Sequence, residues 1–244
     1  MKQTYTLLFV LVMLCAGCSE PEDYSPVLRG TISGKVIAYN EYQEPESAEG
    51  ATVTITGYKI NMQATTDAAG NYSIENVPHT DLIITAQKPG FKGSQRAELN
   101  FFTEKEEIDI RMSKAPSVYV KQAELFWHQN DALRANFILS AAVPAGKDYK
   151  IATFVGKTPD VSDTNYAVKS VNGFTSLGED SNLVLPSISV ESLKNRHGFK
   201  AGDVAYVKIY TGATVIYGYW EGDKYFEGPG LNTSNAQTFT IRIP

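Results

Sequence analysis

The chain has 244 residues, 22 basic and 27 acidic side chains, and two cysteines. A net charge of −5 with no stripe of Lys or Arg excludes a surface built for phosphate backbones, and with it a nucleic-acid partner. Both cysteines, Cys15 and Cys18, stand near the start. The rest therefore has no intrachain disulfide and depends on packed apolar cores, for which it is long enough in one large or two small domains.

Reading from the first residue, Lys2 precedes an apolar run, Leu7–Leu14, and then Cys15, Ala16, Gly17 and Cys18. A basic start, a short apolar run and small residues before a cysteine fit a processed secretion signal. The run is shorter than the roughly 20 apolar residues that a spanning helix needs. The arrangement resembles a bacterial lipoprotein signal, with residues 1–17 removed and Cys18 acylated as the new first residue. Multiple acyl chains would make a durable membrane anchor, each buried methylene contributing about 0.8 kcal/mol. Residues 18–29 read as an acidic, flexible tether. Its opening, Ser19-Glu20-Pro21-Glu22-Asp23, resembles the export signal of Bacteroidetes-type lipoproteins. That resemblance implies the outer membrane, facing the cell exterior.

Beyond the tether the chain shows short runs rich in Val, Ile, Thr, Tyr and Phe, punctuated by Gly, Pro, Asn and Asp, which predicts an all-β protein. Strands are expected at Thr31–Tyr39, Thr52–Tyr58, Asn61–Thr66, Asn71–Ile74, Asp81–Lys88, Arg96–Phe102 and Glu107–Met112. After a seam at Ser113–Pro116 they resume at Val118–His128, Leu133–Ala141, Tyr149–Gly156, Tyr166–Val171, Leu183–Leu185, Asp203–Thr211, Thr214–Trp220 and Thr238–Ile243. Ser189–Asn195 is expected to form one helical turn. Residues i and i+2 of a strand share a face. Val53 and Ile55 should therefore point inward while Thr52, Thr54 and Thr56 meet water, and Tyr72, Ile74, Ile108, Ile110 and Met112 should be buried. Two consecutive antiparallel β-sandwich domains follow, over residues 30–113 and 116–244, each with a wet outer face.

In the first half, Gly34-Lys35-Val36, Glu49–Val53, the run Thr65–Ile74, Val77-Pro78 and Lys88–Phe91 occur in an order that resembles the carboxypeptidase regulatory-like domain. The resemblance implies a transthyretin-like sandwich that accompanies catalytic domains without sharing their chemistry. Pro78-His79 departs from it, since many members carry Gly after the Pro. Independently, Asp67 can bond backbone amides just ahead of it and Gly70 can take a left-handed conformation, so Asp67–Asn71 should close a hairpin turn. A calcium site is not expected there, because too few oxygens converge. Residues 116–244 more loosely resemble a fibronectin type III or immunoglobulin-like domain, on Leu125, Trp127 and the strand Ala205–Tyr210. That likeness implies no activity.

Reactive chemistry is hard to find. His79, His128 and His197 are far apart in sequence and lack zinc-ligand spacing, so each reads as a solvated turn residue. No serine nucleophile elbow or phosphate-binding glycine loop is present. Glu179-Asp180 and Glu221-Gly222-Asp223 sit in polar turns where acids are ordinary. No enzyme, cofactor or metal is expected. The informative cluster is aromatic: Tyr206, Tyr210, Tyr217, Tyr219, Trp220, Tyr225 and Phe226. In the strand around Gly218, alternation puts large apolar groups on both faces. Tyr217, Tyr219, Trp220 and Tyr225 would suit a platform for sugar rings or a protein partner. The blander account, which we prefer for the rings, packs one face in the core and covers the other with a loop, the first domain or another subunit. The expectation for the whole is a monomeric, non-catalytic surface lipoprotein that binds glycan or protein as an accessory to nutrient uptake; the alternative is a structural or adhesive, pilin-like subunit, with a hydrolase ranked behind both.

Overall fold

Alternating β-branched and aromatic positions pair into sheets through both halves of the chain. The computed structural model describes residues 28–94, 96–184, 186–213, 218–221, 224–227 and 230–244, and the backbone alone at 93, 183, 184, 218–221 and 224–227. The leader, Cys18, nearly all of the tether and Tyr217 lie outside the described residues.

The first half contains β1 (Arg29–Tyr39), β2 (Pro45–Glu46), β3 (Thr52–Gly57), β4 (Ile60–Thr65), β5 (Asn71–Pro78), β6 (Thr80–Gln87), β7 (Phe91–Ser94), β8 (Arg96–Phe101), β9 (Lys105–Glu107) and β10 (Ile110–Lys114). One sheet runs β4-β3-β6-β8, antiparallel throughout. The other is built on β1, whose first part pairs with β5 and β9 and whose second part pairs with β2 and β10, with β7 beyond β10. The β1–β9 and β1–β10 pairings are parallel. A sheet assembled only from hairpins would have none; here the chain returns to its own first strand after a long excursion.

The exchange of partners along β1 happens at Gly34. The Ile108 amide donates to the Ser33 carbonyl at 2.8 Å, and the Lys35 amide donates to Asp109 Oδ1 at 2.9 Å. A Cβ at Gly34 would stand 2.0 Å from the Ile108 carbonyl oxygen, so no larger residue fits without moving the backbone. Between the sheets lie Val36, Val53, Ile55, Tyr72, Ile74, Ile84, Phe101, Ile110 and Met112, all buried. Thr52, Thr54 and Thr56 are half-buried rather than wet, because β3 is flanked on both sides by β4 and β6. Ile108, expected in the core, is also half-buried, since it lies in the break between β9 and β10.

The second half contains β11 (Val120–His128), β12 (Ala132–Leu139), β13 (Asp148–Gly156), β14 (Val168–Thr175), β15 (Ser181–Val184), α1 (Val190–His197), β16 (Val204–Gly212), β17 (Gly218–Glu221), β18 (Lys224–Glu227), β19 (Leu231–Asn232) and β20 (Thr238–Arg242). A sheet β11-β12-β15 faces a sheet β14-β13-β16, and β19 and β20 both pair with β16. Leu133, Phe137 and Leu139 from the first meet Ile151, Val155, Val207 and Ile209 from the second. The expected single helical turn is longer than Ser189–Asn195. Ser189 caps α1 by accepting from the Ser192 amide at 3.0 Å, and Gly198, at φ 64°, closes it beyond His197.

The second sheet does not have the wet outer face that alternation implies. Ala152 and Phe154 of β13 join Tyr210, Val161 and Leu231 in a separate small core on that side. The β13–β14 loop, through Val161, and the segment at Leu231 cover it, and periodicity carries no trace of either.

Candidate functional site

Of the aromatic residues singled out in the sequence, Tyr206 and Tyr210 stand in β16, and Tyr219, Trp220, Tyr225 and Phe226 belong to β17 and β18, which follow its end. Thr211 and Gly212 pair with Asn232 and Leu231, and the Ala213 amide donates to the Gly230 carbonyl at 3.3 Å, so the outgoing and returning strands meet at one root. Between them, β17 and β18 form a two-stranded ribbon that pairs with no other strand among the described residues. Its register sets Gly218 opposite Glu227, Tyr219 opposite Phe226, Trp220 opposite Tyr225, and Glu221 opposite Lys224. Three of the four expected platform residues, Tyr219, Trp220 and Tyr225, thus belong to two adjacent cross-strand pairs. Tyr217 lies outside the described residues. Tyr210, just before the root, is 3% exposed, and burial first, with Asp163 second, pushes its phenol up to about 12.

The root is tied to the seam between the two halves. Asn232 Nδ2 donates to the Pro116 carbonyl at 2.9 Å and the Val118 carbonyl at 3.0 Å, while its Oδ1 accepts from the Ser234 amide at 3.0 Å. The Thr211 hydroxyl donates to the same Val118 carbonyl at 2.5 Å. Both side chains are buried, and no sequence signal marks either. From the other half, the loop after β1 reaches the same seam. Asn40 Oδ1 accepts from the Tyr42 and Glu44 amides at 2.8 and 2.9 Å, shaping the loop. The Glu41 carboxylate then accepts from the Ser117 amide and hydroxyl, and Tyr42 packs on the second core. Glu44 pairs with Lys147, whose ammonium hydrogen-bonds the carboxylate and holds it below the usual carboxylate range.

Asp67 and Gly70 close the β4–β5 turn. Asp67 Oδ1 accepts from the Ala69 and Asn71 amides at 2.9 and 2.8 Å, and Oδ2 accepts from Asn71 Nδ2 at 3.1 Å. These bonds, the Asn71 amide foremost, hold the Asp67 carboxyl below its ordinary value. Gly70 has φ +85°, and a Cβ there would meet the Val36 carbonyl at 2.7 Å.

The histidines do not come together. His79 is not a solvated turn residue: its amide donates to the Leu28 carbonyl at 2.9 Å and its ring lies edge-on to Phe101, centroids 5.2 Å apart. The β5–β6 tip folds back over the end of β8, leaving His79 Nε2 buried without a hydrogen-bond partner. His197 is the last residue of α1, half-buried, rather than a turn residue. His128 ends β11 and is exposed. Asp180 offers its backbone carbonyl to the Leu139 amide at 2.7 Å, and Asp223 lies outside the described residues. Among the described residues no three His, Cys, Asp or Glu side chains are grouped to hold a metal. No helix among them is long and apolar enough to cross a membrane.

Residues 31–113 match the family model of the carboxypeptidase regulatory-like domain. No curated protein matches the chain. Among solved structures, a DUF3823 family protein from Parabacteroides merdae is 12% identical, with 89% of this chain and all of that chain covered, at a TM-score of 0.31. A DUF3823 family protein from Bacteroides uniformis is 10% identical, over 89% of this chain and 100% of that one, at 0.32. The major pilin SpaD of Corynebacterium diphtheriae is 10% identical, over 88% of this chain and 66% of that one, also at 0.32. The family match falls on the sandwich built around β1, and that N-terminal sandwich belongs to the carboxypeptidase regulatory-like domain family.

Proposed function

We propose that the protein is a non-catalytic binding accessory, held at the outer surface of the cell by a lipid on Cys18, that engages a glycan or a surface protein through the β17–β18 ribbon. The observation that carries this reading is the ribbon itself. It pairs with no other described strand, sets Tyr219, Phe226, Trp220 and Tyr225 in adjacent cross-strand pairs, and springs from a root held by buried hydrogen bonds. Aromatic residues supply large contact area with few rotamers to freeze, and a fixed root lowers the ordering cost of binding. The anchor is supported by the leader and the small residues before Cys18, and the exterior by the acidic tether. The protein is expected to act as a monomer on the membrane.

The test is a glycan array and an affinity capture from surface extracts, each run with the full-length protein and with Trp220→Ala. Binding by the parent that falls at least about tenfold in the variant supports the reading. Equal binding by both removes the ribbon from it, and turnover of a bound glycan or peptide would replace it with an enzyme. Mass spectrometry of the mature protein should find Cys18 acylated as its first residue; an unmodified thiol there overturns the anchor.

A further inference from the structure

We propose that the outer face of the β11-β12-β15 sheet is a second site, separate from the ribbon, for a short neutral oligosaccharide; the inference rests on the reading of this protein as a glycan binder. Cross-strand register aligns the face in rows: Gln122 beside Ile138 and Ser181, Glu124 beside Asn136 and Leu183, and Phe126 beside Arg134. The first two rows line an open groove of about 390 Å³. Phe126 and Ile138 are among the exposed large hydrophobics of the chain, at 37% and 38%. Gln122, Glu124 and Asn136 make no hydrogen bond to another side chain among the described residues. A sheet face with nothing to do but meet water does not need an open phenyl ring flanked by planar amide, carboxylate and guanidinium groups.

That set matches the chemistry of a sugar. Each hydroxyl both donates and accepts, and the planar groups of Gln122, Asn136 and Glu124 can bond neighbouring hydroxyls in pairs, while Arg134, whose Nη1 donates to the Leu133 carbonyl at 2.8 Å, keeps its other N–H groups for the margin. The Phe126 ring offers an apolar surface for the C–H face of a pyranose. The face offers two rows across three strands and a third across two, a short patch that suits a few sugar rings. One carboxylate balances one guanidinium, so neither a phosphate chain nor a polyanionic glycan is favoured.

The experiment uses the full-length protein in detergent micelles and an array of neutral gluco-, manno-, xylo- and galacto-oligosaccharides, followed by calorimetry on the best binder. Asn136→Ala and Phe126→Ala, both solvent-facing changes checked by an unaltered thermal transition, are expected to weaken binding by about tenfold or more. Trp220→Ala should leave that affinity within about twofold. Loss on Trp220→Ala with no effect of Asn136→Ala or Phe126→Ala overturns this site and leaves the ribbon reading standing. Failure of every neutral oligosaccharide to bind also overturns it, and the ribbon reading is then decided by protein capture alone.

Discussion

The Val118 carbonyl has two side-chain donors, Thr211 at 2.5 Å and Asn232 at 3.0 Å, and this double occupancy makes a quantitative prediction. Thr211→Val removes one donor while keeping shape, and the carbonyl retains the other; the expected loss is about 1 kcal/mol. Asn232→Ala also strips the Pro116 carbonyl of its 2.9 Å donor, leaving it without another among the described bonds, so the loss rises to about 2–3 kcal/mol. In the double variant the buried Val118 carbonyl loses both donors at once. Its full desolvation cost then appears, and the combined loss should exceed the sum of the single losses by about 1 kcal/mol. Urea unfolding of all four proteins, with amide exchange along β16 to confirm that the second sandwich is what melts, measures the cycle. Additivity within about 0.5 kcal/mol would show that the two side chains do not share one acceptor, and the account of the ribbon's root would fail.

Gly34→Ala should cost about 3 kcal/mol or more, because its Cβ meets a backbone oxygen that cannot step aside; a thermal transition unchanged from the parent would contradict the close approach at Ile108. The Tyr72 hydroxyl donates to the Ile108 carbonyl at 2.7 Å, and burial, with Asp109 second, raises its pKa above the ordinary 10.0. Because the folded value is raised, this contribution is fully present below pH about 10 and is lost as pH rises toward the folded value. Urea stability of the parent should therefore decline above pH about 10 more steeply than that of Tyr72→Phe, which should itself be about 1 kcal/mol weaker at neutral pH. Ser189→Ala removes the acceptor for the Ser192 amide and should destabilise the protein by about 1 kcal/mol, read as faster amide exchange in the first turn of α1.

What could be read from the chain divides by the distance over which each feature is determined. The Asp67–Asn71 turn was legible because its bonds span two to four residues and depend on one carboxylate and one glycine. Val53, Ile55, Tyr72 and Ile74 were legible because alternation assigns a face without knowing what lies opposite. The parallel returns to β1 were not, since nothing near Lys105 or Ile110 names residues 31–39 as partners. His79 misled for the same reason: its neighbours in sequence are polar and turn-forming, while Phe101 comes from β8. The aromatic cluster showed as composition, but the determinants of its root did not. Asn232 reads as an ordinary loop asparagine, and its partner Pro116 is 116 residues away.

The seam between the sandwiches has the composition of a linker, Ser113-Lys114-Ala115-Pro116, yet its bonds are those of a fixed element. Three consecutive residues are held from opposite sides: Ser117 by Glu41 of the first half, Pro116 and Val118 by Asn232 of the second. The exposed Glu44–Lys147 pair adds little to this, since exposed ion pairs are weak and are screened by salt. Tyr42, packed on the second core, and the buried Asn232 amide carry most of it. High salt should therefore leave the junction closed, and truncation of either of those two side chains should open it. The ribbon's root and the domain junction share Asn232, so a seam that was loosened would release both together.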